Sequence, residues 1–157
     1  PVGCRPGRIM KTIIEGKQYL RDNFKTGAVC PCCNKYVKAY KRKLNSGIAR
    51  SMIIMYKLNA FWFDNKYIHV QNEFAKLKLR ATTMDYAYAE KWGLIVDGDE
   101  IGTWTLTKKG VDFVANKTFL PSYCLVYNGN VYSWSEDLIN IETSLTDNYD
   151  YQDMMNI

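Results

Sequence analysis

A single histidine, His69, serves all 157 residues, and it sits in the apolar run Tyr67 to Val70. One imidazole in such a run gives no basis for a Ser/His/Asp catalytic pattern and reads as structural. There is also no glycine-rich phosphate loop, no His-Glu-x-x-His and no carboxylate pair at a catalytic spacing. These absences make the chain a binding protein and not an enzyme. No stretch reaches the roughly 18 continuous apolar residues of a membrane span. Pro1 to Arg8 lacks the apolar core of a secretory signal. The five cysteines are odd in number, and three crowd into Cys30, Cys32 and Cys33. That is unlike a secreted disulfide framework and points to a reducing, cytoplasmic compartment. Internal repeats and low-complexity segments are missing too.

What the chain does have is basic charge, unevenly spread. The net +5 divides into +10 over residues 1–50, about +1 over 51–120 and −6 over 121–157, where Lys and Arg are absent. Such a gradient fits a polyanion-binding leading end, or two ends that pair with each other. Hydrophobic residues, at 47%, suffice for a packed core, and 14% aromatic residues argue for an ordered acidic tail.

Hydrophobic spacing predicts a helix over 9–24, with Ile9, Ile13, Ile14 and Leu20 on one side and Gly27 ending the segment. Lys35 to Leu44 reads as a second helix: Tyr36, Val37, Tyr40 and Leu44 make an apolar stripe, and Lys35, Lys38, Lys41, Arg42 and Lys43 cover the rest. Asn45 or Ser46 can cap a core helix over 47–58 that is apolar nearly all round. A strand over 66–70 precedes a helix capped by Asn72 and another running from Thr82 or Thr83 to Trp92, which Gly93 would end in the left-handed conformation. Strands over 94–97 and 103–107 flank the turn residues Asp97, Gly98, Asp99 and Gly102. In the second strand Trp104 and Leu106 alternate with Thr103, Thr105 and Thr107. Thr107 can cap a helix to Ala115. After Pro121, Tyr123 to Tyr127 and Val131 to Trp134 form a hairpin around Asn128-Gly129-Asn130. A strand over 138–141 and a last helical turn capped by Asp150 complete the chain. Three segments result: a basic 1–44, a core over 45–120, and a hairpin with acidic tail over 121–157.

Cys30-Pro31-Cys32-Cys33-Asn34-Lys35 resembles a zinc knuckle, in which two thiolates hold one metal while turn amides point at the sulfurs. Asn34 stands where a left-handed residue is needed, a conformation Asn tolerates. Cys30 and Cys33 are therefore candidate zinc ligands. A structural zinc site takes four ligands, and no second Cys-x-x-Cys exists. Only Cys4, Cys32, His69 and Cys124 could add to the pair, so free cysteines remain the other reading.

From residue 46 to 115 the expected order is helix, strand, helix, helix, strand, turn, strand, helix. The run "AEKWGLIVDGDEIGTWTLTKKGVDFV" resembles the third helix, wing hairpin and closing helix of winged helix-turn-helix proteins of bacteria and phages. The likeness covers about 70 residues and implies an α+β fold: a winged-helix core with an N-terminal helical and cysteine-knuckle extension and a C-terminal β-hairpin. The knuckle followed by "YVKAYKRKLNSGIARSMI" resembles small uncharacterised phage proteins, which implies a host-cytoplasm setting. In such a fold the helix over 82–92 would read DNA, with Thr83 and Tyr86 as its candidates. Two acids against one base on that helix, and Asp97, Asp99 and Glu100 at the wing tip, depart from DNA-binding members of the family. The basic charge lies instead on Lys35, Lys38, Lys41, Arg42, Lys43 and Arg50. Tyr36 and Tyr40 are interleaved there, as suits single-stranded nucleic acid, although buried tyrosines beneath a solvated lysine face would give the same pattern. The expected partners are thus DNA, single- or double-stranded, or else a host protein engaged by the acidic wing and tail, with no membrane involved.

Overall fold

The computed structural model describes residues 12–78 and 81–156, with backbone alone for 81–84. The chain is α+β, with small antiparallel sheets. Its elements are α1 (Ile13–Asn23), β1 (Ala28–Val29), β2 (Tyr36–Val37), β3 (Tyr40–Lys43), α2 (Ser46–Lys57), β4 (Ile68–His69), α3 (Val70–Lys76), β5 (Ile95–Asp97), β6 (Thr103–Leu106), α4 (Lys108–Val114), β7 (Leu120–Pro121), β8 (Tyr123–Tyr127), β9 (Asn130–Trp134), β10 (Leu138–Ile139), α5 (Ile141–Leu145) and α6 (Tyr151–Met155). Trp62–Asp64 and Ala81–Trp92 are 3₁₀ helices. Two compact units emerge. One contains the described residues up to Arg42 together with Cys124–Trp134; the other contains Lys43–Tyr123 and the residues from Ser135 onward. The hairpin therefore groups with the basic leading segment, and the acidic tail with the middle of the chain.

In the first unit, Thr12 caps α1 by accepting the Glu15 N–H at 3.1 Å. The apolar side anticipated for this helix is not buried, since Ile13 and Ile14 are exposed; Ile9 lies outside the described residues. Its buried residue is Gly16. The segment 35–44 is not a helix but two strands, β2 and β3. The spacing of four that joins Tyr36, Tyr40 and Leu44 is even, so it places them on one side of an extended chain as well as of a helix. Tyr and Val then favour the strand. Strand β2 pairs with β1 around the cysteine turn, Ala28 opposite Val37 and Val29 opposite Tyr36. The Ala39 N–H donates to the Phe24 carbonyl at 2.9 Å, tying this region to the end of α1. A second sheet runs β3-β8-β9. Asn128 and Gly129 take φ of 52° and 80°, the left-handed pair that a tight hairpin requires. Leu125 opposes Ser133 and Val126 opposes Val131, so Tyr132 is the extra residue of a bulge.

The second unit is built around α2, which Asn45 caps through the Ile48 N–H at 2.9 Å. Ile48, Ala49 and Ser51 through Met55 are all buried, as an all-round apolar helix demands. The sheet runs β4-β6-β5, with Ile68 opposite Trp104 and Ile95 opposite Leu106. As the central strand, β6 is covered on both faces. Leu106 is buried as expected, but Thr103 and Thr105 are buried too and Trp104 only partly so, and the expected alternation is lost. Helix α3 is capped by His69, whose Nδ1 accepts the Asn72 N–H at 3.3 Å, and not by Asn72. In Ala81–Trp92, three residues per turn stack Tyr86, Ala89 and Trp92 on one buried face. Trp92 donates from Nε1 to the Pro121 carbonyl at 2.8 Å. Gly93 follows at φ 74°. Thr107 caps α4, its Oγ1 accepting the Gly110 N–H at 3.1 Å. The last strand stops at Ile139, because Asn140 caps the unanticipated α5 by accepting the Thr143 N–H at 2.8 Å. Asp150 caps α6. Among the described residues no helix is long and apolar enough to cross a membrane.

Candidate functional site

In the first unit the chain between the knuckle and α2 is extended, and extension brings its aromatic and basic side chains to the surface. Tyr36 on β2 is 60% exposed and Tyr40 on β3 is 51% exposed. Of the two readings open for these tyrosines, the buried one is excluded. Lys35, Lys38 and Lys41 are exposed beside them, and Arg42 is half-buried; Lys43, also exposed, belongs to the second unit. On a strand, residues 40 and 42 share a face, and the Arg42 guanidinium lies 5.7 Å from the centre of the Tyr40 ring.

Acids are few in this unit. Its described part holds seven Lys/Arg and two acids, Glu15 and Asp22, a balance of +5. Both carboxylates are engaged on α1 itself: Glu15 accepts from Thr12 Oγ1 at 3.1 Å, and Asp22 accepts from Gln18 Nε2 at 2.8 Å. By contrast, the residues of the second unit hold eleven Lys/Arg and fourteen Asp/Glu, a balance of −3.

The other anticipated contact residues belong to that second unit. Arg50, on α2, donates to the Tyr149 hydroxyl at 3.3 Å and lies 4.9 Å from that ring centre, so it is held by its own unit. Tyr86 cannot meet a groove: it is 6% exposed, with Phe74 and Trp104 against its ring at 6.4 and 6.3 Å. The 3₁₀ winding turns it inward, which corrects its assignment as a base-reading residue. Thr83 lies on the same 3₁₀ helix, and its side chain is outside the described residues. Asp97, Asp99 and Glu100 line an acidic pocket with Tyr67 and Thr103.

The cysteine turn is a tight loop. The Cys30 N–H donates to the Lys35 carbonyl at 2.8 Å, and the Asn34 N–H returns to the Cys30 carbonyl at 2.9 Å. Asn34 takes φ 66°, the left-handed conformation expected of it. Burial pushes the Cys30 thiol up. The backbone amides of Cys33 and Cys32, with hydrogen bonds from both thiols, outweigh that and hold it below its ordinary value. The Cys32 N–H lies 3.4 Å from Cys30 Sγ. Cys30 is buried and Cys33 exposed. Amides directed at a sulfur favour its thiolate form. Among the described residues no three His, Cys, Asp or Glu converge as metal ligands. Cys4 lies outside the described residues, Cys124 is buried on β8, and His69 is occupied as a helix cap.

Sequence reasoning missed a second feature of the first unit. Lys17, Leu20, Arg21 and Phe24 recur at i, i+3, i+4 and i+7 along α1, and with Tyr127 of β8 they line an open groove of about 360 Å³. Leu20 belongs to the apolar side anticipated for this helix, but grouping it with Lys17, Arg21 and Phe24 needs the wall that Tyr127 supplies. No protein-family model matches the chain, and neither a curated protein nor a solved structure does.

Proposed function

We propose that the protein binds nucleic acid through its first unit, single strands in preference to duplex, in a regulatory or accessory role in DNA metabolism of the phage type. The observation that carries this reading is the exposure of Tyr36 and Tyr40 among Lys35, Lys38, Lys41 and Arg42. Exposed aromatic rings offer stacking faces to unpaired bases, and the cations alongside meet the phosphates. The +5 balance of the described part of this unit, with both carboxylates already engaged on α1, supports it further. The protein acts here as a binder and not as a catalyst. A zinc ion on Cys30 and Cys33 would stiffen the turn that leads into Lys35 and Tyr36, provided further ligands complete its shell.

For the second unit we propose a winged-helix arrangement over 46–115. The order of its elements agrees with that reading, and so do the turn between β5 and β6 and the Thr107-capped closing helix. Its buried Tyr86 and its acidic pocket at Asp97, Asp99 and Glu100 suit a protein partner better than DNA.

The test is binding to single- and double-stranded DNA across a salt series. Single strands should bind more tightly, with affinity falling steeply as salt rises. Lys35→Glu with Lys38→Glu should reduce the slope of log K against log salt by about 1.4, two phosphate contacts at ~0.7 each. Absence of binding at low salt, or a slope unchanged in that variant, overturns the proposal.

A further inference from the structure

The groove on α1 has features that a solvated helix face does not need. Its floor is aromatic and aliphatic. Phe24 lies 4.5 Å from Tyr127, their planes 53° apart, and 5.3 Å from Tyr132, edge-on at 73°. Leu20 adds an aliphatic wall. The bulge in β9 explains why Tyr132 reaches the same ring as Tyr127: one additional residue in the strand re-aims the side chain. On the rim stand Lys17 and Arg21, one helical turn apart and both exposed. The acids of α1 turn to their own helix neighbours, Glu15 to Thr12 and Asp22 to Gln18. An apolar, aromatic-lined hollow with two cations at its edge is complementary to a flat, uncharged ring attached to a phosphate.

We infer that this groove receives one unstacked nucleobase of a single strand, which lies against Phe24 and Tyr127 while Lys17 and Arg21 hold the adjoining phosphate. The inference rests on the nucleic-acid reading above and adds to it a place, a stoichiometry and a discrimination. A base within a duplex is stacked on both sides and cannot enter, so the groove acts on single strands alone. About 360 Å³ of open space accommodates one nucleotide and not several. The site is also separate in sequence from Tyr36 and Tyr40, so a strand lying over both would engage two sets of stacking rings.

The experiment uses the full chain, a single-stranded dT oligonucleotide and a duplex of equal length. Tyr127→Leu removes a stacking face without removing a charge. It should weaken single-strand binding about tenfold, leave the salt slope unchanged and leave duplex binding alone. Lys17→Glu with Arg21→Glu changes only exposed groups and should lower the slope by about 0.7, the one phosphate contact they share. Because Tyr127 touches Phe24 and its loss could disturb the fold, a third measurement needs no variant. A single strand carrying 5-iododeoxyuridine, irradiated in the complex, should cross-link to Phe24, Tyr127 or Tyr132. If wild-type protein binds single strands but Tyr127→Leu binds equally well, or if cross-links fall only on Tyr36 and Tyr40, the groove is not a base site while the broader function stands. If wild-type protein binds no single strand at any salt concentration, both proposals fall together.

Discussion

Gly16 and Cys32 meet where α1 crosses the cysteine turn: a Cβ added at residue 16 would lie 2.7 Å from the Cys32 sulfur. This explains why a glycine interrupts a helix and why it is the buried position of α1. Alanine in a helix interior is normally favoured over glycine by about 0.5–1 kcal/mol. Here Gly16→Ala should destabilise the protein instead, because forcing a methyl into packed space costs typically 1–3 kcal/mol. Gly16→Ala combined with Cys32→Ala should recover the helix gain relative to Cys32→Ala alone. Thermal or urea unfolding of the four proteins closes the cycle. A Gly16→Ala protein more stable than wild type would show that α1 does not rest on the turn.

The knuckle makes a separate prediction. Protein expressed in zinc-supplemented medium should carry close to one zinc per chain by elemental analysis. Cys30→Ser or Cys33→Ser should remove it, whereas Cys124→Ser, altering a cysteine buried on β8, should not. Because thiolates must be deprotonated to bind, the metal should be released as pH falls. Zinc content near zero in the wild type, or retained in both ligand variants, would leave Cys30 and Cys33 as structural thiols.

Much of the architecture could be read from residues whose local chemistry has one solution. Asn45, Thr107 and Asp150 cap helices because each places a side-chain oxygen ahead of free N–H groups. Gly93 and Asn128-Gly129 take positive φ where such residues are cheapest. The misreadings occur where one pattern fits two periods. Tyr36, Tyr40 and Leu44 are four apart, which satisfies both helix and strand, and only pairing with β1 and β8 decides. Tyr86, Ala89 and Trp92 are three apart, which selects 3₁₀ winding and turns Tyr86 inward. At the candidate site the cations of 35–43 were legible as a group. The α1 groove was not, because it needs Tyr127, more than a hundred residues away, to form its far wall.

Thr105 carries a cost that mutation can lift. It is fully buried on β6, and its Oγ1 has no hydrogen-bond partner among the described residues. A buried polar group without a partner costs about 1–3 kcal/mol. Thr105→Val keeps the shape and removes the hydroxyl, so it should raise stability by about 1 kcal/mol, or the melting temperature by roughly 2–4 °C for a chain of this size. Calorimetry decides. A lower melting temperature would mean that the hydroxyl bonds an ordered water whose loss is felt.

Tyr151 should make stability fall on the alkaline side. Burial raises its pKa above the ordinary 10.0, and the Glu142 carboxylate and Tyr56 push in the same direction. Its hydroxyl donates to the carbonyl of Val114, the last residue of α4, at 2.7 Å. That carbonyl has no acceptor role left within its own helix, so the phenol proton satisfies it. The folded state holds this proton more tightly than the unfolded chain does. The contribution is therefore complete below the unfolded pKa near 10 and is lost as pH rises through the higher folded value. Tyr151→Phe removes both proton and hydrogen bond. At neutral pH it should cost about 1 kcal/mol, while above pH 10 its stability should decline less steeply than that of wild type. Urea midpoints measured from pH 8 to 11 test this directly: parallel curves for the two proteins would mean that Tyr151 ionises as freely in the native state as in the unfolded chain.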